Sequence, residues 1–295
     1  MAQPTSGQRP VIEKASETGF CCGVRRAVDR LARAAQAGRR IETLGPVVHN
    51  PLVVAELART GVSSVERLDD VRARVVAVTA HGTDPGTLAQ IQARNLEVVD
   101  TTCSIVRSAQ KAAARFARAG YGVLIFGEPD HPEVKGLVGW AGEQSLATTD
   151  PGLVGRWSAL PARLAVVSQT TQTQQRFQKF LEKLIALVLP RVRELHVVNS
   201  TCRVTRERQV AAQELALRSD LVIVVGGRNS ANTRRLAETC ERMVETRMVE
   251  SAEEIERGWL EGKSHIGIVG GTSTPDEAID AVAERLGELT SPDRA

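Results

Sequence analysis

Short apolar runs alternate along the chain with polar loops and amphipathic segments. Arg74–Val78 runs into Thr79–Gly82, Leu164–Val167 into Ser168–Thr171, and Leu221–Val225 into Gly226–Asn232. Segments with apolar residues three and four positions apart follow these loops, a spacing typical of a helix that buries one face. Continuous apolar runs of this length predict parallel strands covered by helices. The pattern therefore predicts an α/β fold with small, mostly parallel sheets.

One segment occurs twice almost unchanged and a third time in a looser form. Leu96–Cys103 and Leu195–Cys202 each end an apolar run with two hydroxyl residues and a cysteine, and Thr18–Cys21 resembles them. A glycine lies 24 residues after each of these cysteines, and a histidine or serine lies 28 residues after it: Gly45, Gly127 and Gly226, then His49, His131 and Ser230. Such recurrence predicts three homologous α/β domains related by a pseudo-threefold axis.

The repeat divides the chain into three similar lengths. We predict domains at residues 10–95, 96–192 and 193–288, with a disordered tail at 1–9 and a C-terminal tail at 289–295. A length of 295 residues exceeds what one hydrophobic core usually organises, which agrees with several domains. Aromatic residues make up only 3% of the chain, so Val, Leu, Ile and Ala must fill the interior.

The charge balance and the lengths of the apolar runs indicate which partners and which cellular location to expect. The chain has 38 basic and 35 acidic residues, a balance that predicts no nucleic-acid or membrane-surface partner. No apolar run approaches the ~20 residues of a membrane span. We therefore expect a cytoplasmic protein. In a reducing compartment, its five cysteines are expected to serve a metal or catalysis more than disulfides.

Three of the cysteines occupy equivalent positions where a strand meets a helix. Ligands of open parallel sheets bind at the carboxyl ends of strands, so a threefold arrangement would direct Cys21, Cys103 and Cys202 to one point. Three thiolates suit zinc or an iron–sulfur cluster, and separations of 82 and 99 residues exclude a zinc ribbon of local pairs. A cluster with three protein ligands would keep one iron open for catalysis on a substrate oxygen. Cys240 and Cys22 are interpreted as packing residues.

The remaining polar loops are suited to an anion and a proton. Gly226-Gly227 and Gly270-Gly271 let backbone N–H groups approach a ligand closely, and five side chains add donors: His49, His81, Ser230, Asn232 and Ser273. A diphosphate is the expected ligand. Glu133 is the loop carboxylate suited to proton delivery, although a loop glutamate is usually solvated. Thr170 has an ordinary alternative role as a helix N-cap, and His196 and His265 are interpreted as structural.

These motifs together resemble the 4-hydroxy-3-methylbut-2-enyl diphosphate reductase family. The resemblance extends from Gly19–Val24 to Gly271–Pro275 and includes the loops Val48–Asn50, Ala80–Gly82, His131–Glu133, Ser168–Thr171 and Asn229–Asn232. It implies a trefoil of three α/β domains around a [4Fe-4S] cluster. It also implies reductive removal of an allylic hydroxyl group to give isopentenyl and dimethylallyl diphosphates, the last step of the methylerythritol phosphate route.

The resemblance assigns roles to individual residues. Cys21, Cys103 and Cys202 would be the cluster ligands. Glu133 would be the proton source, with Thr170 positioning the substrate hydroxyl. The diphosphate would bind to His49, His81, Ser230, Asn232 and Ser273, and His131 would line the same pocket. Electrons would come from a reduced ferredoxin or flavodoxin.

Three residues depart from the usual family pattern, and two other functions stay open. Thr101 and Ser104 stand where alanine and proline are common, and Ala231 replaces a serine that could donate to the diphosphate. One alternative is another three-cysteine [4Fe-4S] dehydratase similar to quinolinate synthase, against which the His-Pro-Glu and Asn-Ser-Ala-Asn loops argue. The other is a non-catalytic iron–sulfur or zinc module that senses redox state.

Overall fold

A computed structural model describes residues 9–36, 38–157 and 160–291. The predicted tail at 1–9 lies outside these ranges except for Arg9, and residues 292–295 of the predicted C-terminal tail also lie outside them. Within the described ranges, twelve strands form three four-stranded sheets in which every paired strand is parallel. The predicted α/β class is confirmed.

The described elements follow one another in three similar series. The first series is β1 (Val11–Lys14), α1 (Cys22–Gln36), β2 (Ile41–Leu44), α2 (Pro51–Arg59), β3 (Val62–Val65), β4 (Val75–Val78), α3 (Pro85–Ala93) and β5 (Glu97–Asp100). The second is α4 (Ser104–Arg118), β6 (Gly122–Phe126), α5 (Pro132–Ala141), β7 (Ser145–Thr148), α6 (Pro151–Gly155), β8 (Arg163–Ser168), α7 (Gln174–Val188) and β9 (Glu194–Val197). The third is α8 (Arg203–Ala216), β10 (Leu221–Val225), α9 (Ala231–Cys240), β11 (Thr246–Val249), β12 (His265–Gly270) and α10 (Asp276–Leu289).

All three sheets have the same strand order. The orders are β3-β2-β4-β5, β7-β6-β8-β9 and β11-β10-β12-β1. In each sheet, the strand that precedes one of the three repeated cysteines (β5, β9 or β1) is an edge strand. The repeat inferred from the cysteine spacing is therefore present in the topology.

The strand ladders differ from the predicted domain boundaries at three strands. β5 pairs with β4 and β9 pairs with β8, so each belongs to the sheet of the predicted domain before its own. β1, in the first predicted domain, pairs with β12. Two parallel neighbours need only one crossover helix between them, and α3 and α7 supply it. Each sheet thus includes the strand that comes before one of the three repeated cysteines, and the domain boundaries at 95/96 and 192/193 stay a prediction.

The central strands form the core of each sheet. All five residues of β10 and all four of β4 are buried, and β8 is buried from Leu164 to Ser168. Burial of each Val, Leu or Ile side chain contributes about 2 kcal/mol relative to exposure. These strands therefore hold the loops at their carboxyl ends on a rigid base.

The described chain divides into two compact units. One comprises the described residues within Met1–Val24, Val48–Ala55 and Arg203–Ala295, and it contains the sheet of β1, β10, β11 and β12. The other comprises Arg25–Val47 and Glu56–Cys202 and contains the other two sheets. Among the described helices, none combines the length and apolar character needed to cross a bilayer.

Candidate functional site

The loops before Cys103 and Cys202 have the same local structure. The Asp100 carboxylate accepts the N–H of Thr102 at 2.9 Å and its hydroxyl at 2.6 Å. The Asn199 side chain accepts the corresponding groups of Thr201 at 3.1 and 2.6 Å. Such side-chain turns redirect the backbone at the end of a strand. The repeated segment in the sequence therefore forms the same turn at both positions.

The backbone of each of these cysteines is held by the adjacent loop. The Cys103 N–H donates to the Ala80 carbonyl at 3.0 Å, and the Cys202 N–H donates to the Thr170 carbonyl at 2.8 Å. Both acceptors lie in the polar loops that follow the central strands. The cysteine loops and the polar loops are thus joined at the carboxyl edges of their sheets, where the sequence predicts the site.

Cys103 lies among groups that would be negatively charged when ionised. Burial raises the pKa of its thiol, hydrogen bonds from the N–H groups of Ile105 and Val106 lower it, and the nearby Cys202 and Glu133 raise it. The net pKa lies above the ordinary value. Thiolates at Cys103 and Cys202 would repel each other, so a bound cation or cationic cluster would favour their ionised forms.

Cys21 lies in the first unit and is held in a comparable way. Its N–H donates to the Thr272 carbonyl at 3.0 Å, and its Sγ accepts the N–H of Val24 at 3.4 Å. Gly19 has a φ of +79°, and a Cβ there would lie 1.7 Å from the Asp276 carboxylate. The left-handed backbone favours glycine at this turn, which leads into the cysteine loop, and a side chain there would also displace the Asp276 carboxylate.

The structure separates the three repeated cysteines from the other two. All five are free thiols, and Cys21, Cys103 and Cys202 are partly buried. Cys240 is fully buried, and burial raises its pKa to about 12, so the prediction of a packing role for it is confirmed. Cys22 is exposed, and the prediction that it packs in the interior is wrong.

Glu133 is not a solvated loop residue. It lies in the first turn of α5 with 1% of its surface exposed, and its carboxylate accepts the Thr170 N–H at 2.6 Å and the Thr170 hydroxyl at 2.8 Å. Burial raises the pKa of Glu133 to about 7 against the opposing effect of these two bonds. The alternative role of Thr170 as an N-cap is wrong, because Thr173 caps α7.

His131 is the N-cap of α5. Its Nδ1 accepts the N–H of Glu133 at 3.1 Å, so in the neutral imidazole the proton lies on Nε2. Its ring meets the His81 ring edge to face at a centroid distance of 5.4 Å. The second unit therefore brings His81 and His131 together beside Glu133.

A buried glutamine pair in the same unit was not assigned any role from the sequence. The Gln169 Oε1 accepts the Glu128 N–H at 3.0 Å and the Gln172 Nε2 at 3.2 Å, and its Nε2 donates to the Thr171 hydroxyl at 3.0 Å. Both glutamines are at most 2% exposed. The available signal was two amide side chains, Gln169 and Gln172, within four residues of the end of the buried strand β8.

Ser230, Asn232 and Ser273 lie together in the first unit with the polar groups expected of an anion site. Ser230 caps α9 by accepting the Thr233 N–H at 3.3 Å. Asn232 is 2% exposed and Ser273 is 5% exposed, yet neither the Asn232 amide nor the Ser273 hydroxyl has a hydrogen-bond partner among the described residues. Buried polar groups normally have partners, so these atoms fit a polar ligand.

His49 belongs to the same unit and is kept neutral. Burial lowers the pKa of its imidazole, and the positive charge of Arg234 lowers it further. A Cβ on Gly227 would lie 2.2 Å from the His49 carbonyl oxygen, so glycine permits the two loops to touch. The first unit therefore holds Cys21, His49, Ser230, Asn232 and Ser273, whereas the second holds Cys103, Cys202, His81, His131, Glu133 and Thr170.

The residues that depart from the family pattern have defined places. The Thr101 hydroxyl is buried and donates to the Val78 carbonyl at 2.6 Å, which ties the cysteine loop to β4. Ser104 is the exposed first residue of α4, and Ala231 is buried at the start of α9. Thr101 thus adds a loop contact that alanine could not make.

The comparison with known families is decisive. The sequence model of the family described as LytB protein matches residues 12–287. The chain belongs to the LytB family. A 4-hydroxy-3-methylbut-2-enyl diphosphate reductase from Dehalococcoides mccartyi (strain CBDB1) is 43% identical over 280 residues, covering 95% of this chain and 99% of the relative. The reductase of Pelobacter propionicus is 38% identical, covering 93% and 97%.

Solved structures give the same family and fold. A structure of (E)-4-hydroxy-3-methyl-but-2-enyl diphosphate reductase, described as the terminal enzyme of the non-mevalonate pathway, is 32% identical with a TM-score of 0.69, covering 94% of this chain and 99% of that one. A reductase from Plasmodium falciparum has a TM-score of 0.88, covering 97% and 89%, and at 24% identity it supports the fold alone.

Proposed function

We propose that this protein is a 4-hydroxy-3-methylbut-2-enyl diphosphate reductase, the last enzyme of the methylerythritol phosphate route to isoprenoids. It removes the allylic hydroxyl group reductively and yields isopentenyl and dimethylallyl diphosphates. The observation that carries the proposal is the Glu133–Thr170 pair. A fully buried carboxyl with a pKa of about 7 is suited to proton donation at neutral pH.

The cofactor of this proposal is a [4Fe-4S] cluster held by Cys21, Cys103 and Cys202. These free, partly buried thiols fit the group because backbone N–H groups already face the sulfurs of Cys21 and Cys103. Hydrogen bonds to cysteine sulfur are a means by which proteins tune such clusters. When bound, the cluster would supply the electrons and an electrophilic iron.

The substrate would bind through both of its polar ends. We assign the diphosphate to a set of hydrogen-bond donors beside His131: His49, His81, Ser230, Asn232 and Ser273. The unpartnered buried groups of Asn232 and Ser273 support this assignment. Thr170 would position the substrate hydroxyl beside Glu133, since its own hydroxyl already contacts that carboxylate at 2.8 Å.

Proton transfer would then start from Glu133. The protonated carboxyl donates to the departing hydroxyl, which leaves as water when the C–O bond breaks. Two electrons from the external donor and one further proton, taken up by the allylic carbon, complete the reduction. The proton on His131 Nε2 keeps that histidine a donor toward the ligand, because its Nδ1 is committed to the Glu133 N–H. A reduced ferredoxin or flavodoxin as electron donor, and a cytoplasmic location, are further parts of the proposal.

One anaerobic assay tests this function. The reconstituted protein is incubated with the allylic diphosphate and a chemical reductant, and both products are measured for the wild type, Glu133→Gln and Glu143→Gln. The first substitution should lower turnover at least about 100-fold, since general acid catalysis contributes that much. Glu143 is an exposed glutamate just beyond α5 and serves as the control.

Three results would contradict the proposal in different ways. Undiminished turnover of Glu133→Gln would remove its role as acid. An iron–sulfur protein without any turnover would favour the redox-sensing module, and dehydration of a different substrate would favour a quinolinate-synthase-like enzyme.

A further inference from the structure

Two arginines donate to backbone carbonyls directly before site cysteines. In the first unit, the Arg208 Nη1 donates to the Gly19 carbonyl at 2.5 Å, two residues before Cys21. In the second unit, the Arg26 Nη2 donates to the Thr102 carbonyl at 3.2 Å, one residue before Cys103. Neither contact involves a sulfur or a substrate-binding side chain of the proposed site.

Arg208 is buried, although arginine side chains usually lie on the protein surface. It is only 3% exposed in the middle of α8, and burial of a guanidinium group is unfavourable unless hydrogen bonds compensate for the lost water. Its acceptor, Gly19, adopts a left-handed backbone conformation and packs against the Asp276 carboxylate. Arg208 thus holds the turn that leads into Cys21.

Arg26 contacts the corresponding turn before Cys103. The Thr102 carbonyl that it binds belongs to the turn closed by the Asp100 side chain. Arg107 makes an ion pair with that same Asp100 carboxylate. The turn is therefore held at its carbonyl by one arginine and at its capping side chain by another.

The positions of the two donors in the chain follow one rule. Arg26 lies five residues after Cys21, and Arg208 lies six residues after Cys202. Each arginine is thus carried by the helix that begins just after one site cysteine, and each binds the turn before a different one. The turn before Cys103 is thus held by the helix that follows Cys21, and the turn before Cys21 is held by the helix that follows Cys202.

We propose that Arg26 and Arg208 are positioning residues that hold the Cys103 and Cys21 turns in the conformation required for cluster binding. This rests on the proposed three-cysteine cluster, and it adds that cluster retention depends on two residues that are not ligands. Loss of either arginine frees one turn while all three sulfurs remain. The cluster should then be lost faster.

The test measures cluster retention and loop order separately. In anaerobically reconstituted Arg26→Met and Arg208→Met, iron release to a chelator should be about tenfold faster than in the wild type, the change expected for one lost charge-assisted hydrogen bond. Lysine at either position can still donate to a carbonyl and should restore much of the retention. In the cluster-free chain, amide hydrogen exchange at Cys21 should accelerate in Arg208→Met, and exchange at Cys103 in Arg26→Met.

Matched controls separate this role from general stability. Arg33 lies on α1 with Arg26 and donates to the Asp29 carbonyl of its own helix. Arg235 is a buried arginine of α9 that pairs with Glu238. Arg33→Met and Arg235→Met should release iron at the wild-type rate below their melting temperatures. If Arg208→Met does not fold, Arg208→Lys and Arg26→Met carry the test.

The outcomes are distinguishable from failure of the proposed function. Wild-type rates of iron release and exchange in both methionine variants would overturn the positioning role even if the enzyme is active. A wild-type chain that binds no iron would overturn the three-cysteine cluster, and the exchange measurement would still decide whether the arginines order the turns.

Discussion

Glu133 shows how the surroundings of one residue determine its chemistry. Its carboxyl is shielded from water and meets two donors from Thr170, which are too few to keep it ionised at the usual pKa. An exposed glutamate would be ionised at neutral pH and could not donate a proton. Glu133 can keep its proton near neutral pH because burial excludes water from its carboxyl group.

The raised pKa of Glu133 predicts a pH dependence. Turnover should fall as pH rises through about 7, where the proton is lost. Stability should change in the same direction: the raised pKa favours the folded state fully below the unfolded value of 4.5, and this advantage, about 3 kcal/mol, is lost as pH rises through 7. The free energy of unfolding of the cluster-free chain, measured between pH 5 and 8.5, should depend less on pH in Glu133→Gln than in the wild type. The same pH dependence in both proteins would contradict the raised pKa of Glu133.

Thr170 should set the value of that pKa. Its hydroxyl lowers the pKa of Glu133 by donating to the carboxylate, so Thr170→Val should raise the pKa further while the backbone N–H bond remains. The alkaline limb of the pH–rate profile should move to higher pH, whereas Thr170→Ser should keep the wild-type midpoint. A midpoint unchanged by valine would show that the hydroxyl does not act on Glu133.

Functional residues that recur at a fixed spacing can be predicted from the sequence, whereas residues whose role depends on burial cannot. The cysteines and the glycines 24 residues beyond them recur in register, so their equivalence is visible without a structure. The burial of Glu133 depends on the loop after β8, which is distant in the chain, and Thr170 resembles an N-cap until Thr173 is seen to fill that position. Arg208 lacks any local signal, because only the packing of α8 buries it.

At the scale of elements, the polar loops depend on close backbone contact. A Cβ on Gly227 would meet backbone atoms of the β2–α2 loop, 2.2 Å from the His49 carbonyl oxygen and 3.2 Å from the Asn50 Cα, neither of which can rotate away. The loop that carries His49 would have to shift.

Gly227→Ala should therefore weaken both folding and substrate binding. We expect a loss of about 1–3 kcal/mol in the free energy of unfolding, as for other overpacked sites, together with a raised KM for the diphosphate substrate. Gly258 has no atom within 4 Å of an added Cβ, so Gly258→Ala is the control. Steady-state kinetics and denaturant unfolding measure the two effects. If Gly227→Ala keeps the wild-type KM, the position of the His49 loop does not affect substrate binding.

The central strands were predictable from their apolar runs, whereas the short strands β7 and β11 lack such runs and were not predicted. The grouping was not predictable either: β5 and β9 join the sheets of β4 and β8 because a single crossover helix places a strand beside its predecessor. A repeat read from the sequence has a period but no fixed starting point. The ladder hydrogen bonds decide where each structural series begins.

At the scale of the whole molecule, three distant cysteines should act as one set. Replacing Cys21, Cys103 or Cys202 by Ser should abolish stable iron binding, because each variant removes a proposed ligand. Cys240→Ser should retain the iron and only lower the melting temperature, since that thiol is buried among apolar side chains. Iron content and visible absorption after anaerobic reconstitution distinguish these outcomes. Full iron content in any of the three variants would contradict the ligand set.

The pairing of β1 with β12 has a consequence for the order in which the protein matures. Residues 11–14 leave the ribosome early, yet their partner strand spans residues 265–270, and the Cys21 N–H needs the Thr272 carbonyl. The β1 segment is thus synthesised long before its partner strand and takes its paired conformation only after residues 265–270 have been made. The proposed ligand Cys21 therefore reaches its hydrogen-bonded conformation only after Thr272 has been made, so we expect a chain that lacks the last strand to bind iron poorly through this cysteine.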